Sequence, residues 1–396
     1  MMLPTTAPDS RANVDGAVAC RTLGGGPSSW WLLGGLALVL VALLMGLASG
    51  GEAQAVSLVG VEFGPFLGLC ALAQLGARHR VFRVVSWAWF ALVLLAIAML
   101  SLGVTATALM AASRHGIDLQ AALTLLGVLG LLVFGLLIAA LMVLTRAWVG
   151  VGRGMGVVVE AVEASHAQAV VGLLFFAIAA LAPLVFLRGQ APLLASLPAQ
   201  DVGTGRSALG QNLDLVYTAL WAMPLVLVGA GFPLRRSFRQ ALARLGVGLL
   251  RRSDVPTLLG LTLGLLVVGI GMGVVTDRVW TWAGWGSTDG ALVQRLFGAP
   301  AASPLGIICI GLSAGLTEEL LVRGLLQPRL GWLLPNVAFA AAHAFQYGAD
   351  GVLTVFVIGA VQAGIRARWN TTAAVMTHSL YDTALLLAAL VGVPGT

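Results

Sequence analysis

The sequence predicts an all-α fold, a polytopic bundle of roughly 10–11 membrane helices, from three observations. Of 396 residues, 59% are hydrophobic and only 10% charged, with a mean hydropathy of +0.97. A soluble domain carries about 25% charged residues, so most of this chain is made to face lipid. The apolar residues come in long runs, and a helix needs about 20 of them to cross the hydrocarbon core. Arginines gather between alternate runs, at 77–83, 145–153 and 235–252.

Residues 1–29, with Pro4, Pro8, Asp9, Asp15 and a "GGGPSS" exit, read as a disordered polar tail. The apolar core and cleavage site of a signal peptide do not follow the start, so the first apolar run reads as a retained helix. Segment 30–234 is expected to hold N-terminal transmembrane helices of no assignable role, near 30–49, 56–76, 84–109, 119–144, 169–187 and 214–234. Segment 235–254 reads as a basic amphipathic cytoplasmic piece, in which Phe238, Leu242, Leu245, Leu249 and Leu250 interleave with arginines. Such a piece either lies on anionic headgroups or is an ordinary basic loop. From 255 to 396, helices are expected near 255–275, 304–326, 333–347, 352–366 and 371–391, the third and fourth being short for a full span.

The net charge of +6 comes entirely from arginine, since lysine does not occur. The arginine clusters follow the second, fourth and sixth expected helices, always on one side. The positive-inside rule then puts the amino terminus in the cytoplasm. No basic stretch forms a soluble, aromatic-interleaved patch, which excludes nucleic acid and leaves membrane lipids as partners. Cys20, Cys70 and Cys309 are scattered, against a disulfide framework or a thiolate metal site. Tryptophans in "VWTWAGW" (279–285) read as an interfacial anchor beyond the seventh helix.

The chemistry concentrates near the carboxyl terminus. Glu318, Glu319, His343, His378 and Asp382 all lie in apolar surroundings there. An ionisable group in the bilayer core costs roughly 2.5–3.5 kcal/mol on insertion scales, so such a cluster is a functional-site hypothesis. Glu319 and Arg323 are four residues apart, the spacing of an intrahelical pair. Glu318 is rotated about 100° from Glu319, so it is free to face a cavity while Glu319 supports Arg323. Phe339 with His343, and His378 with Asp382, repeat the four-residue spacing on two further helices. A carboxylate and an imidazole around one water suit general-base hydrolysis, and a histidine with a second polar group suits an oxyanion. The same set could hold a divalent metal. Taken singly, each pair is also what a plain salt bridge or a helix-gluing hydrogen bond looks like.

These residues resemble a family. "EELLVRG" looks like the EExxxR motif of the CPBP intramembrane proteases (the CAAX-protease or Abi family), which include type II CAAX prenyl endopeptidases. "FAAAH" (339–343) is similar to its FxxxH motif and "HSLYD" (378–382) to its HxxxN/D motif, and the resemblance covers about 255–396. It implies an intramembrane protease core in which Glu318 activates water with His343, while His378 and Asp382 form the oxyanion site. Glu319, Arg323 and Phe339 take supporting roles. It also implies an integral protein of a bacterial inner membrane and a membrane-associated, in some members prenylated, peptide or protein substrate. The family has been described as metal-dependent, but the resemblance favours glutamate-activated water, with zinc not favoured and no cofactor. The prenyl endopeptidases carry Asn where Asp382 stands; a carboxylate there donates only if protonated, or else orients His378. A non-catalytic scaffold or immunity partner that retains the core is the alternative. Convergence of the four residues on one cavity separates the two readings.

Overall fold

The computed structural model describes residues 28–76, 79–93, 207–285, 287, 288, 290, 297–343 and 346–392. The expected helices at 119–144 and 169–187, most of 84–109, the 145–153 arginine cluster and nearly all of the tail lie outside the described residues. Among the described residues every regular element is a helix. They are α1 (Ser28–Ser49), α2 (Gly51–Gly76), α3 (Ala208–Ala230), α4 (Phe238–Arg244), α5 (Val255–Ala283), α6 (Pro304–Glu319), α7 (Leu333–Ala342), α8 (Ala349–Arg368) and α9 (Thr371–Leu390). Residues 80–93 are helical too.

Seven described helical stretches are long and apolar enough to cross a membrane. They are Leu32–Ser49, Gly51–Gly76, Leu209–Ala230, Arg252–Ala283, Pro304–Arg329, Ala349–Arg368 and Thr371–Leu390. The chain is an integral, multi-pass membrane protein.

The helix ends follow from local chemistry. Ser303 caps α6 by accepting from the Gly306 N–H at 3.1 Å, with Pro304 at the first helical position where its missing N–H costs nothing. Asn370 caps α9 by accepting from the Ala373 N–H at 2.9 Å. In α5 nothing breaks the helix at the expected residue 275. It runs on through the tryptophans until Gly284, whose φ of 69° ends it as a left-handed cap. Trp280 and Trp282 therefore ride on the helix, and Trp285 follows its cap.

Two differences bear on function. The helix expected over 333–347 ends at Ala342, so α7 has 10 residues and stops at His343. At 1.5 Å per residue it rises about 15 Å, half of a bilayer core. The basic segment forms only the seven-residue α4, closed by a Ser237–Gln240 capping box. Its Ala241 and the following Leu245 are buried with Val226, Ala230, Leu320 and Leu325, whereas Phe238 and Leu249 remain exposed. One side of the segment thus packs on protein, because Gly246, at φ 71°, turns the chain back under α9. Thr371 fastens it there, its N–H donating to the Gly246 carbonyl and its hydroxyl to the Leu245 carbonyl.

Packing falls into two groups joined by α3. Leu32, Leu67, Leu75, Leu225 and Val228 bind α1 and α2 to α3. Leu258, Leu265, Ile358, Ile365, Ala373 and Tyr381 bind α5, α8 and α9. Between the groups, the Gly229 carbonyl of α3 accepts from Gln74 of α2 and from Arg329.

Candidate active site

The site begins with how closely α6 and α9 approach. Gly311 and Gly315 face α9, and a Cβ at Gly315 would collide with the Ser379 hydroxyl. It would also stand 2.8 Å from the Ser379 backbone nitrogen and 3.0 Å from the Val375 carbonyl. Small residues four apart are how membrane helices bring their backbones together. This contact sets Glu318 and Glu319, at the end of α6, beside His378 and Asp382 on α9.

Beyond Glu319 the same helix continues as a π-helical stretch, Leu320–Leu326, a wider turn that recurs at functional sites. Arg323 lies in it, 1% exposed, with Nη1 3.2 Å from Glu319 Oε1. Its Nη2 donates to the Gly359 carbonyl at 2.9 Å and to Asn336 Oδ1 at 3.4 Å, and its guanidinium lies over the Phe339 ring at 4.4 Å. Asn336 in turn donates to the Phe356 carbonyl at 2.9 Å. A Cβ at Gly359 would collide with Asn336, so only glycine leaves the guanidinium its carbonyl partner. A buried charge is tolerable only when paired and hydrogen-bonded, and Arg323 is both.

Glu319 is fully buried, and its Oε1 also accepts from His378 Nδ1 at 2.7 Å. Glu318 keeps 31% of its side chain exposed, so the two adjacent acids occupy different environments. Its Oε1 is 3.9 Å from His343 Nε2 and its Oε2 is 3.8 Å from His378 Nε2. Both gaps are too long for a direct hydrogen bond. His378 Nε2 is 3.3 Å from Asp382 Oδ2.

The partners assign the ring protons. A carbonyl can only accept, so His343 Nδ1, 2.8 Å from the Phe339 carbonyl, carries a hydrogen, and Nε2 faces Glu318. In His378, Nδ1–H donates to Glu319, and Nε2 faces the carboxylates of Asp382 and Glu318. Phe339 stands edge-on between the imidazoles, 4.7 Å from His343 and 6.3 Å from His378 by ring centroid.

The structure therefore brings Glu318, His343, His378 and Asp382 around one gap, with Glu319, Arg323 and Phe339 behind them. Sequence reasoning paired Glu319 with Arg323 but not with His378, because it had no relation between α6 and α9. It also missed Asn336, Gly359 and Tyr347. Asn336 was detectable as the lone amide in the apolar run "LLPNVAFAAAH", and Tyr347 as the next member of the Phe339–His343 stripe. Gly359 carries no such signal. The atoms facing the gap that could ligate a cation are the Glu318 and Asp382 carboxylates and His343 Nε2. Among the described residues, no group of three or more His, Cys, Asp and Glu side chains is arranged to hold a metal ion.

Residues 300–384 match the family model for type II CAAX prenyl endopeptidases, Rce1-like. That stretch contains every residue of the site, from Glu318 to Asp382. In that stretch the chain resembles the CPBP family. The CPBP match is narrower than the 255–396 over which the motifs suggest a core, and it leaves out α5, which packs on α8 and α9. No curated protein matches the chain, and no solved structure does.

Proposed function

We propose that the chain is an intramembrane endopeptidase that hydrolyses a peptide bond of a membrane-associated protein or peptide. The observation that carries this reading is the convergence of Glu318, His343 and His378 on one gap, at 3.8–3.9 Å from carboxylate to imidazole. Such spacing leaves the carboxylate free to bond a water that also bonds the His343 lone pair.

In this reading Glu318 takes a proton from the water as its oxygen attacks the scissile carbonyl carbon. His343 Nε2 accepts the water's second hydrogen and aligns its lone pair. The carbonyl oxygen becomes an oxyanion that accepts from His378 Nε2–H. Glu319 holds that ring through Nδ1, and Arg323 pairs with Glu319. Asp382 stabilises the positive charge of a doubly protonated His378. As the tetrahedral intermediate collapses, the peptide C–N bond breaks and the proton on Glu318 passes to the leaving amine. The steps use no metal.

The family description supports a prenylated carboxyl terminus as one substrate form. The arginine loops support a cytoplasmic amino terminus.

Glu318→Gln keeps the shape and removes the base, so processing is expected to fall by roughly 10²-fold or more with insertion unchanged. The measurement compares membrane proteins that accumulate uncut in cells carrying each form, and a farnesylated CAAX peptide tests the prenyl form on purified protein. Full processing by Glu318→Gln removes the assignment. Chelator treatment is expected to leave activity intact, and loss restored by zinc would make Glu318 a metal ligand instead.

A further inference from the structure

Tyr347 lies outside the three motifs, and the hydrolysis described above does not use it. It follows His343 by four residues, and its backbone N–H donates to the His343 carbonyl at 2.9 Å. Its ring lies parallel to the imidazole, 6.1 Å between centroids and 1° between planes, an offset stack. Phe339 meets the same imidazole edge-on, so His343 is gripped by aromatic rings from four residues before and four after. The grip matters because α7 ends at residue 342, so His343 stands at the tip of a helix rather than inside one.

Three features hold the tyrosine in turn. It packs on Ala340, Ala341 and Val352. Gly351 provides the space, since a Cβ there would stand 2.6 Å from Tyr347 Cβ and 3.0 Å from its Cγ. The turn after it is fastened to Thr288, which follows α5. The Gly348 N–H donates to Thr288 Oγ1 at 3.0 Å. The Thr288 hydroxyl and N–H donate to the two oxygens of Asp350, at 2.8 and 3.0 Å. Asp350 is buried and opens α8, so this clasp ties the end of α5 to the start of α8 directly beside the tyrosine. Burial first, and then the charges of Asp382 and Glu318, push the Tyr347 phenol up from its ordinary value. The ring therefore stays neutral beside the carboxylates.

We propose that Tyr347 is a positioning residue that fixes the His343 ring with its Nε2 lone pair toward Glu318, and that the Thr288–Asp350 clasp holds Tyr347 in place. The proposal rests on the hydrolytic reading above for its kinetic consequence, but its structural part is measurable without turnover. The stack needs the ring and not the hydroxyl, which sets Tyr347→Phe against Tyr347→Ala.

The test uses full-length protein labelled with 15N-histidine in detergent micelles, with His343→Ala identifying the His343 ring signals. Wild type and Tyr347→Phe are expected to show a single Nδ1–H tautomer at His343, and Tyr347→Ala a mixture of the two. With the protein that accumulates in Glu318→Gln cells as substrate, Tyr347→Ala is expected to lower kcat about tenfold at unchanged KM, and Tyr347→Phe to restore it. Thr288→Val keeps the tyrosine and removes the clasp hydroxyl. It is expected to move the tautomer signal in the same direction, and it carries the test should the alanine variant not fold. An unchanged single tautomer in Tyr347→Ala, or in Thr288→Val where alanine does not fold, overturns the proposal. So does a phenylalanine variant as impaired as alanine. A changed tautomer in a protein that cleaves nothing would leave the positioning intact and remove the hydrolytic reading instead.

Discussion

Glu318 and Glu319 are chemically identical neighbours in the chain that meet opposite surroundings. The second is buried against Arg323 and His378, and the first keeps part of its carboxylate exposed to the gap. The helix turns about 100° per residue, so the two acids reach His378 from different sides, Glu319 at Nδ1 and Glu318 at 3.8 Å from Nε2. Removing the charge of the inner acid is therefore expected to act on stability and on His378 together. Glu319→Gln leaves the Arg323 guanidinium buried without its counter-charge, a loss that in comparable pairs costs about 3–5 kcal/mol. Asn336, the Gly359 carbonyl and the Phe339 face remain as partners, which places the expected cost at the lower end of that range. Thermal unfolding in detergent, compared with Glu318→Gln, checks it. Glu318→Gln is expected to unfold close to wild type because its carboxylate stands 3.8–3.9 Å from the imidazoles, beyond hydrogen-bond distance; equal losses in the two variants would contradict the division of roles.

At the scale of elements, the site is made by one close crossing and one short helix. Gly311 and Gly315 let α6 press against α9 until backbone meets backbone. The π-helical stretch then carries Arg323 back toward Glu319, and α7 ends early enough to leave His343 at its tip. Because the atoms nearest a Cβ at Gly315 include backbone of α9, even alanine must push the helices apart. Gly315→Ala is expected to lower processing on the order of 10²-fold, the scale of a misplacement of about 1 Å, while the protein still inserts and accumulates. Processing at the wild-type rate would show that the crossing is not what sets the geometry. Gly364 on α8 provides the control, as a Cβ there meets nothing within 4 Å.

For the whole molecule, the N-terminal helices meet the part that holds the candidate site through α3. Gly229 accepts from Gln74 on one side and Arg329 on the other, and Trp221 donates to the Val56 carbonyl of α2. No described residue before 207 takes part in the hydrogen bonds and ion pairs of the site. Gln74→Leu removes one of the two side-chain donors to the Gly229 carbonyl and leaves Arg329 in place, so it is expected to lower thermal stability by about 0.5–1.5 kcal/mol, the net worth of one hydrogen bond, without changing kcat. Differential scanning of purified protein and a turnover assay check the two halves of that statement. A fall in kcat without a fall in stability would place the N-terminal helices in the mechanism.

The sequence by itself determined the class of the fold and the order of the helices from α5 to α9, and it singled out Glu318, His343, His378 and Asp382 as candidates for a site. Hydropathy is summed locally along the chain, and charges in lipid are costly enough to stand out. The four-residue spacings also fixed which groups share a helix face. Which face meets which was decided only in three dimensions, because Glu319 and His378 are 59 residues apart and their contact depends on glycines that leave no chemical mark of their own. The same holds for the early end of α7 and the clasp from Thr288 to Asp350. Both arise from packing between helices, which local patterns do not encode.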